Sequence, residues 1–202
     1  LILFYKKNID FIAEHSVDPD KKSYVFYDER SKDSYDYEYF SDSIKSKSLE
    51  DIIDIYSNDS LIKYGYSLWN IPILYKNLTK AFVNKEKDKI LKITSDLSHY
   101  VGDINMPLHA TVFYDGKYPF QKGIHNLIEK DIALSVIKET NFFIDTPSYI
   151  NNIKNYILQT ITNSYHSSLI VYFKFEKTLN EIPSGKAIHT IENSTIKIFS
   201  TI

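Results

Sequence analysis

Apolar residues recur at helical spacing in each strongly patterned stretch of this chain. From Asp88 to Ile104, the residues Ile90, Leu91, Leu97, Val101 and Ile104 fall on one side of a 3.6-residue period. From Ser60 to Lys85, Leu61, Ile62, Leu68, Trp69, Ile73, Leu74, Leu78 and Phe82 repeat the pattern, with an interruption expected near Pro72. Leu3 to Glu14 reads as a further helix that ends near His15, before the break at Asp18-Pro19. A helix is expected from about His125 to Glu139. A longer one opens at Thr146-Pro147-Ser148 and runs to about Asn180, with Pro147 where helix starts tolerate it. These stretches predict an all-α, single-domain helical bundle over residues 1–202, a length that buries a sizeable core.

Between the helical stretches the sequence is less regular. Ser16 to about Lys47 is rich in Ser, Asp and Tyr and reads as a long loop, followed by a short helix from Ser48 to Tyr56. Tyr24, Tyr27, Tyr35, Tyr37 and Tyr39 on that loop read as surface, and Trp69 reads as core. Thr190 to Ile202 is open between helix and strand. No apolar run approaches the ~18 residues that a membrane-crossing helix needs.

Composition narrows the chemistry. The chain has no cysteine, which excludes disulfides, thiolate metal sites and a cysteine nucleophile. Any metal must therefore be held by His, Asp, Glu or backbone groups. No Gly-rich phosphate loop is present. The formal net charge is −2, and Arg30 is the only arginine, which argues mildly against a nucleic-acid partner.

One segment breaks the apolar logic of its helix. His99 and Asp103 are four residues apart, so both lie on one face, and Asp96 joins them. Such a stripe on an Ile- and Leu-rich helix faces either solvent or a polar cavity. His109 follows just beyond Pro107, where a turn can return its imidazole toward the helix end. His125 and Glu129 form a second pair at the same spacing, sixteen residues after His109. Two His/carboxylate pairs on successive helices, joined by a loop with a further His, are a natural lining for a metal cavity in a bundle. Imidazole and carboxylate without thiolate suit catalytic zinc. By contrast, His15 reads as a helix-end partner, His166 as structural or exposed, and His189 lies in the undecided tail.

The run His99-Tyr100-Val101-Gly102-Asp103-Ile104, followed by Met106-Pro107-Leu108-His109, resembles the core motif of the zinc-dependent phospholipase C and single-strand-specific nuclease superfamily. His125-x3-Glu129 resembles the next ligand pair, with Glu in the last place as in the phospholipase C branch. Val17-Asp18-Pro19-Asp20-Lys21 resembles the segment that carries a ligand Asp. The resemblance spans about Phe4 to Ile132.

This resemblance implies up to three zinc ions in an all-helical fold. His99, Asp20 and Asp103 would serve the first ion, His109, His125 and Glu129 the second, and Asp103 would bridge to a third. A water or hydroxide between metals is the expected nucleophile on phosphorus, with Asp20 assisting as a base. The substrate would be a phospholipid or another phosphodiester, or alternatively single-stranded nucleic acid. The family also implies a secreted, periplasmic or cell-envelope location.

Two departures stand out. A ligand His expected 12 to 15 residues after Asp20 is absent; Asp33 takes its register, and Asp36 is a second candidate. The family's N-terminal Trp and its nearby His are also missing, so the chain reads as a fragment, truncated at its start and open to truncation at its end. A degenerate member that binds zinc or headgroups without turnover is the third reading.

Overall fold

The computed structural model describes residues 2–19, 51, 67–111, 113–139 and 146–181. Helix accounts for 81% of the described residues and no strand occurs among them, as the apolar spacing predicts. Two short helices, α1 (Ile2–Lys7) and α2 (Ile9–His15), open the chain. Then come α3 (Ser67–Val83) and α4 (Lys87–Asn105). A turn-rich stretch leads to α5 (Ile124–Asn126), which continues through a π-helical turn (Leu127–Ile132) into α6 (Ala133–Glu139). The long helix α7 (Ile153–Glu181) follows.

Three boundaries differ from the sequence reading, each for a local reason. The first helix is broken at Asn8, whose side-chain amide donates to the Phe4 carbonyl at 2.8 Å. Asn side chains offer the backbone such alternatives to helix continuation. Pro72 does not interrupt α3, which runs through it. The long helix starts at Ile153 and not at Pro147, because Asn152 accepts from the Asn155 backbone N–H at 3.0 Å and caps the first turn.

The core lies where α3, α4 and α7 meet. Leu68, Trp69 and Ile71 from α3 pack with Tyr100 and Ile104 from α4 and with Ile157 and Ile161 from α7. A second cluster joins Leu108 and Ile124 to Val171 and Phe175 of α7. Ser164 of α7 donates to the Ile104 carbonyl at 2.6 Å, satisfying a backbone acceptor near the end of α4. Together these contacts clamp the C-terminal end of α4 and the chain that follows it against one helix. Among the described residues, no helix is long and apolar enough to cross a membrane.

Candidate metal centre

The centre is built where α4 ends. Met106 precedes Pro107, and its backbone is extended (φ −83°, ψ 115°) as the proline ring demands of its predecessor. The helix therefore stops, and Pro107 opens a tight 3-10 turn, Pro107–Ala110. Leu108 is fully buried, which anchors that turn and sets His109 beside Asp103. The His109 imidazole thus returns to the end of the helix.

His125 and Glu129 arrive from the other side of the loop. Gly123, at φ +91°, makes the turn into α5 in a left-handed conformation that favours glycine. Asp115 caps this start, its carboxylate accepting from the Gly123 and His125 backbone N–H groups at 2.9 and 3.3 Å. Glu129 sits in the π-helical turn, a widening of the helix that often accompanies functional positions. The Tyr114 ring meets His125 edge-on, with centroids 5.5 Å apart.

His109, His125 and Glu129 then converge. Nε2 of His109 lies 3.3 Å from Nε2 of His125. The Glu129 carboxylate stands 2.7 Å from Nε2 of His125 and 3.8 Å from Nε2 of His109. The two imidazoles are nearly parallel, at 21° and 4.9 Å between centroids. A tetrahedral zinc with bonds of about 2.0–2.1 Å separates its ligand atoms by roughly 3.3 Å. The three side chains fit that ion in spacing and in donor chemistry. Glu129 is half exposed whereas His109 is largely covered, so an ion here would keep one side open.

Asp103 supports this arrangement from behind. Its Oδ1 lies 3.1 Å from Nδ1 of His109, which leaves Nε2 of that ring directed at His125 and Glu129. A carboxylate behind a ligating imidazole fixes its tautomer and orientation. The other oxygen, Oδ2, lies 3.1 Å from Nε2 of His99 and is buried without an aligned hydrogen bond among the described residues. His99 Nε2 and Asp103 Oδ2 thus form a second, adjoining pair of metal-type donors.

The electrostatics follow from the pairing. Burial pushes the Asp103 carboxyl up, but the close His109 and His99 imidazoles outweigh it and hold the group at about 2. The hydrogen bond from His125 holds the Glu129 carboxyl below its ordinary value against the opposing effect of burial. Among the described residues, no lysine or arginine pairs with either carboxylate.

Five of the seven expected ligand residues are therefore gathered here: His99, Asp103, His109, His125 and Glu129. Asp20 and Asp33 lie outside the described residues, as do Asp36, the Ser48–Tyr56 helix beyond Asp51, His189 and the tail. His166 is exposed, and His15 bonds to Asp18 at 2.9 Å. Asp96 belongs to a different cluster: Lys92 bonds to it at 2.6 Å and to Asp18 at 2.9 Å. Two contributors went unseen in the sequence. The Asp115-Gly116 turn marks a loop but not the cap it supplies to His125, and nothing in the pattern places Tyr114 against that ring.

Set beside known proteins, the chain matches no family model, no curated protein and no solved structure.

Proposed function

We propose that this protein is a zinc-dependent hydrolase of phosphodiester bonds, similar to phospholipase C. The observation that carries the reading is the convergence of His109, His125 and Glu129, from two segments, on one ion-sized space. The order of these residues along the chain also agrees with the motif that resembles the phospholipase C and nuclease superfamily. In this reading His109, His125 and Glu129 hold one zinc. His99 and Asp103 would hold a second together with Asp20, and Asp103 would also serve a third.

Zinc bound here supplies Lewis-acid polarisation of a phosphoryl oxygen and a water acidic enough to ionise near neutral pH. The chain's own residues prepare that chemistry. With its carboxylate 3.1 Å from Nδ1 of His109, Asp103 would favour the proton there and free the Nε2 lone pair for a cation. Glu129, on the exposed side, leaves room for a phosphate ester to approach.

The test is direct. The chain should bind at least one zinc ion, with hydrolysis of phosphatidylcholine that a chelator abolishes and added zinc restores. Asp103→Asn should remove that activity, and a variant that still turns over at the wild-type rate would overturn the assignment. Hydrolysis of single-stranded DNA in place of the lipid would move the protein to the nuclease branch. Bound zinc without either activity would make it a degenerate member.

A further inference from the structure

The loop between His109 and His125 carries a feature that metal binding does not use. Tyr118 and Phe120 are 48% and 53% exposed, although each is a large aromatic side chain. Their rings stack on one another, with centroids 5.5 Å apart and planes 9° from parallel. Phe113, on the same loop, is also exposed.

This loop is held in shape from within. Gln121 is buried, and its side-chain oxygen accepts from the backbone N–H groups of Lys117 and Tyr118 at 2.8 and 3.2 Å. Gly116 sits at φ +107°, where a Cβ would come within 2.6 Å of Gln121, so only glycine suits the turn. Tyr172 of α7 donates to the Phe113 carbonyl at 2.7 Å. The aromatics are thus displayed by a braced loop that has not folded them inward.

Their charged neighbours on the loop are two lysines against one acid. Lys117 stands over the Phe113 ring at 5.5 Å, and Lys122 is exposed just beyond Gln121. The acid in this loop, Asp115, directs its carboxylate to the backbone of Gly123 and His125. A chain of net charge −2 therefore carries a locally cationic, aromatic lip beside its candidate metal centre. Aromatic rings at headgroup depth with lysines reaching toward phosphate are how proteins settle on lipid surfaces.

We propose that the Phe113–Lys122 lip is a docking surface for an anionic lipid interface, which seats Tyr118 and Phe120 among the headgroups with Lys117 and Lys122 against lipid phosphates. In naming lipid as the partner, this inference rests on the phospholipid reading above. Single-stranded nucleic acid is the less favoured occupant. A stacking platform lies within a basic groove, whereas this loop carries two lysines, one acid and no arginine.

The test is co-sedimentation of the full chain with vesicles of phosphatidylcholine containing increasing phosphatidylserine. Wild-type protein should bind more tightly as phosphatidylserine rises. The Tyr118→Ser/Phe120→Ser variant should bind at least about tenfold more weakly. Lys117→Gln and Lys122→Gln should each cost about fivefold, and only on the anionic vesicles. All three variants should keep the zinc content of the parent and its rate on a water-soluble phosphodiester. Vesicle binding unaffected by these changes overturns the proposal, as does stronger retention by oligothymidylate that the same changes abolish. Lip-dependent vesicle binding by a protein that hydrolyses no phosphodiester sustains the docking surface and sinks the enzymatic reading instead.

Discussion

Two polar clusters lie along α4, about two turns apart. Toward its start, Lys92 bonds to both Asp96 and Asp18, and Asp18 also accepts from His15. Toward its end, Asp103 lies between His99 and His109, and Glu129 reaches His125. Both clusters combine carboxylates with histidine on a half-buried surface. The first contains a permanent cation of its own. The bonds from Lys92 and His15 depress the Asp18 carboxyl, and the two carboxylates raise the Lys92 ammonium against the effect of its partial burial. The second has no lysine or arginine among the described residues and brings two imidazole nitrogens to 3.3 Å. At that distance one proton can bridge the two Nε2 atoms in a hydrogen bond, and a cation in its place would take a lone pair from each. The first cluster is a strut between α2 and α4, while the second groups three side chains that could hold an ion.

Substitutions at the two clusters should therefore part company. The largest effect is expected for His125→Ala, which removes a donor common to both short contacts. Its zinc dissociation constant, measured by competition with a chelating dye, should rise more than about 100-fold while circular dichroism stays helical. Next is Asp103→Asn, which leaves the three donors in place but loosens His109. Zinc affinity should fall by roughly 10- to 100-fold.

The same residue should show itself in acid. The ordinary carboxyl value is 3.8 and that of folded Asp103 is about 2. A depressed folded value means its stabilisation, on the order of 2 kcal/mol in the metal-free chain, is complete above about pH 4 and lost as pH falls through about 2. Acid unfolding of chelator-treated protein should show that dependence, and Asp103→Asn should lack it. The smallest change is expected at the strut. Lys92→Met should lower the thermal midpoint by roughly 2–4 °C and leave zinc affinity unaltered. A loss of zinc from Lys92→Met would erase the distinction between the clusters.

Much of this was legible along the chain, for a physical reason. Helical periodicity is a local property, so Ile90, Leu91 and Ile104 announce their shared buried face before any partner is known. The four-residue spacings His99/Asp103 and His125/Glu129 are likewise decided by one helical turn. Local competition is harder to read. Asn8 breaks the first helix and Asn152 starts the last, while Pro72, which should interrupt α3, stands inside it. In each case the outcome depends on hydrogen bonds and packing that weigh against propensity by about 1–3 kcal/mol.

The residue order of this chain dictates helices, their apolar faces and which imidazoles stand one turn from a carboxylate, because those depend on neighbours within a few positions. It does not dictate that the two histidine pairs meet. That required Met106 to be turned out of the helix by Pro107, Leu108 and Ile124 to be buried against Val171 and Phe175, and Asp115 to cap the strand of chain entering α5. Contacts across sixteen residues are set by how the core packs, and the packing alone brings His109 and His125 to one point.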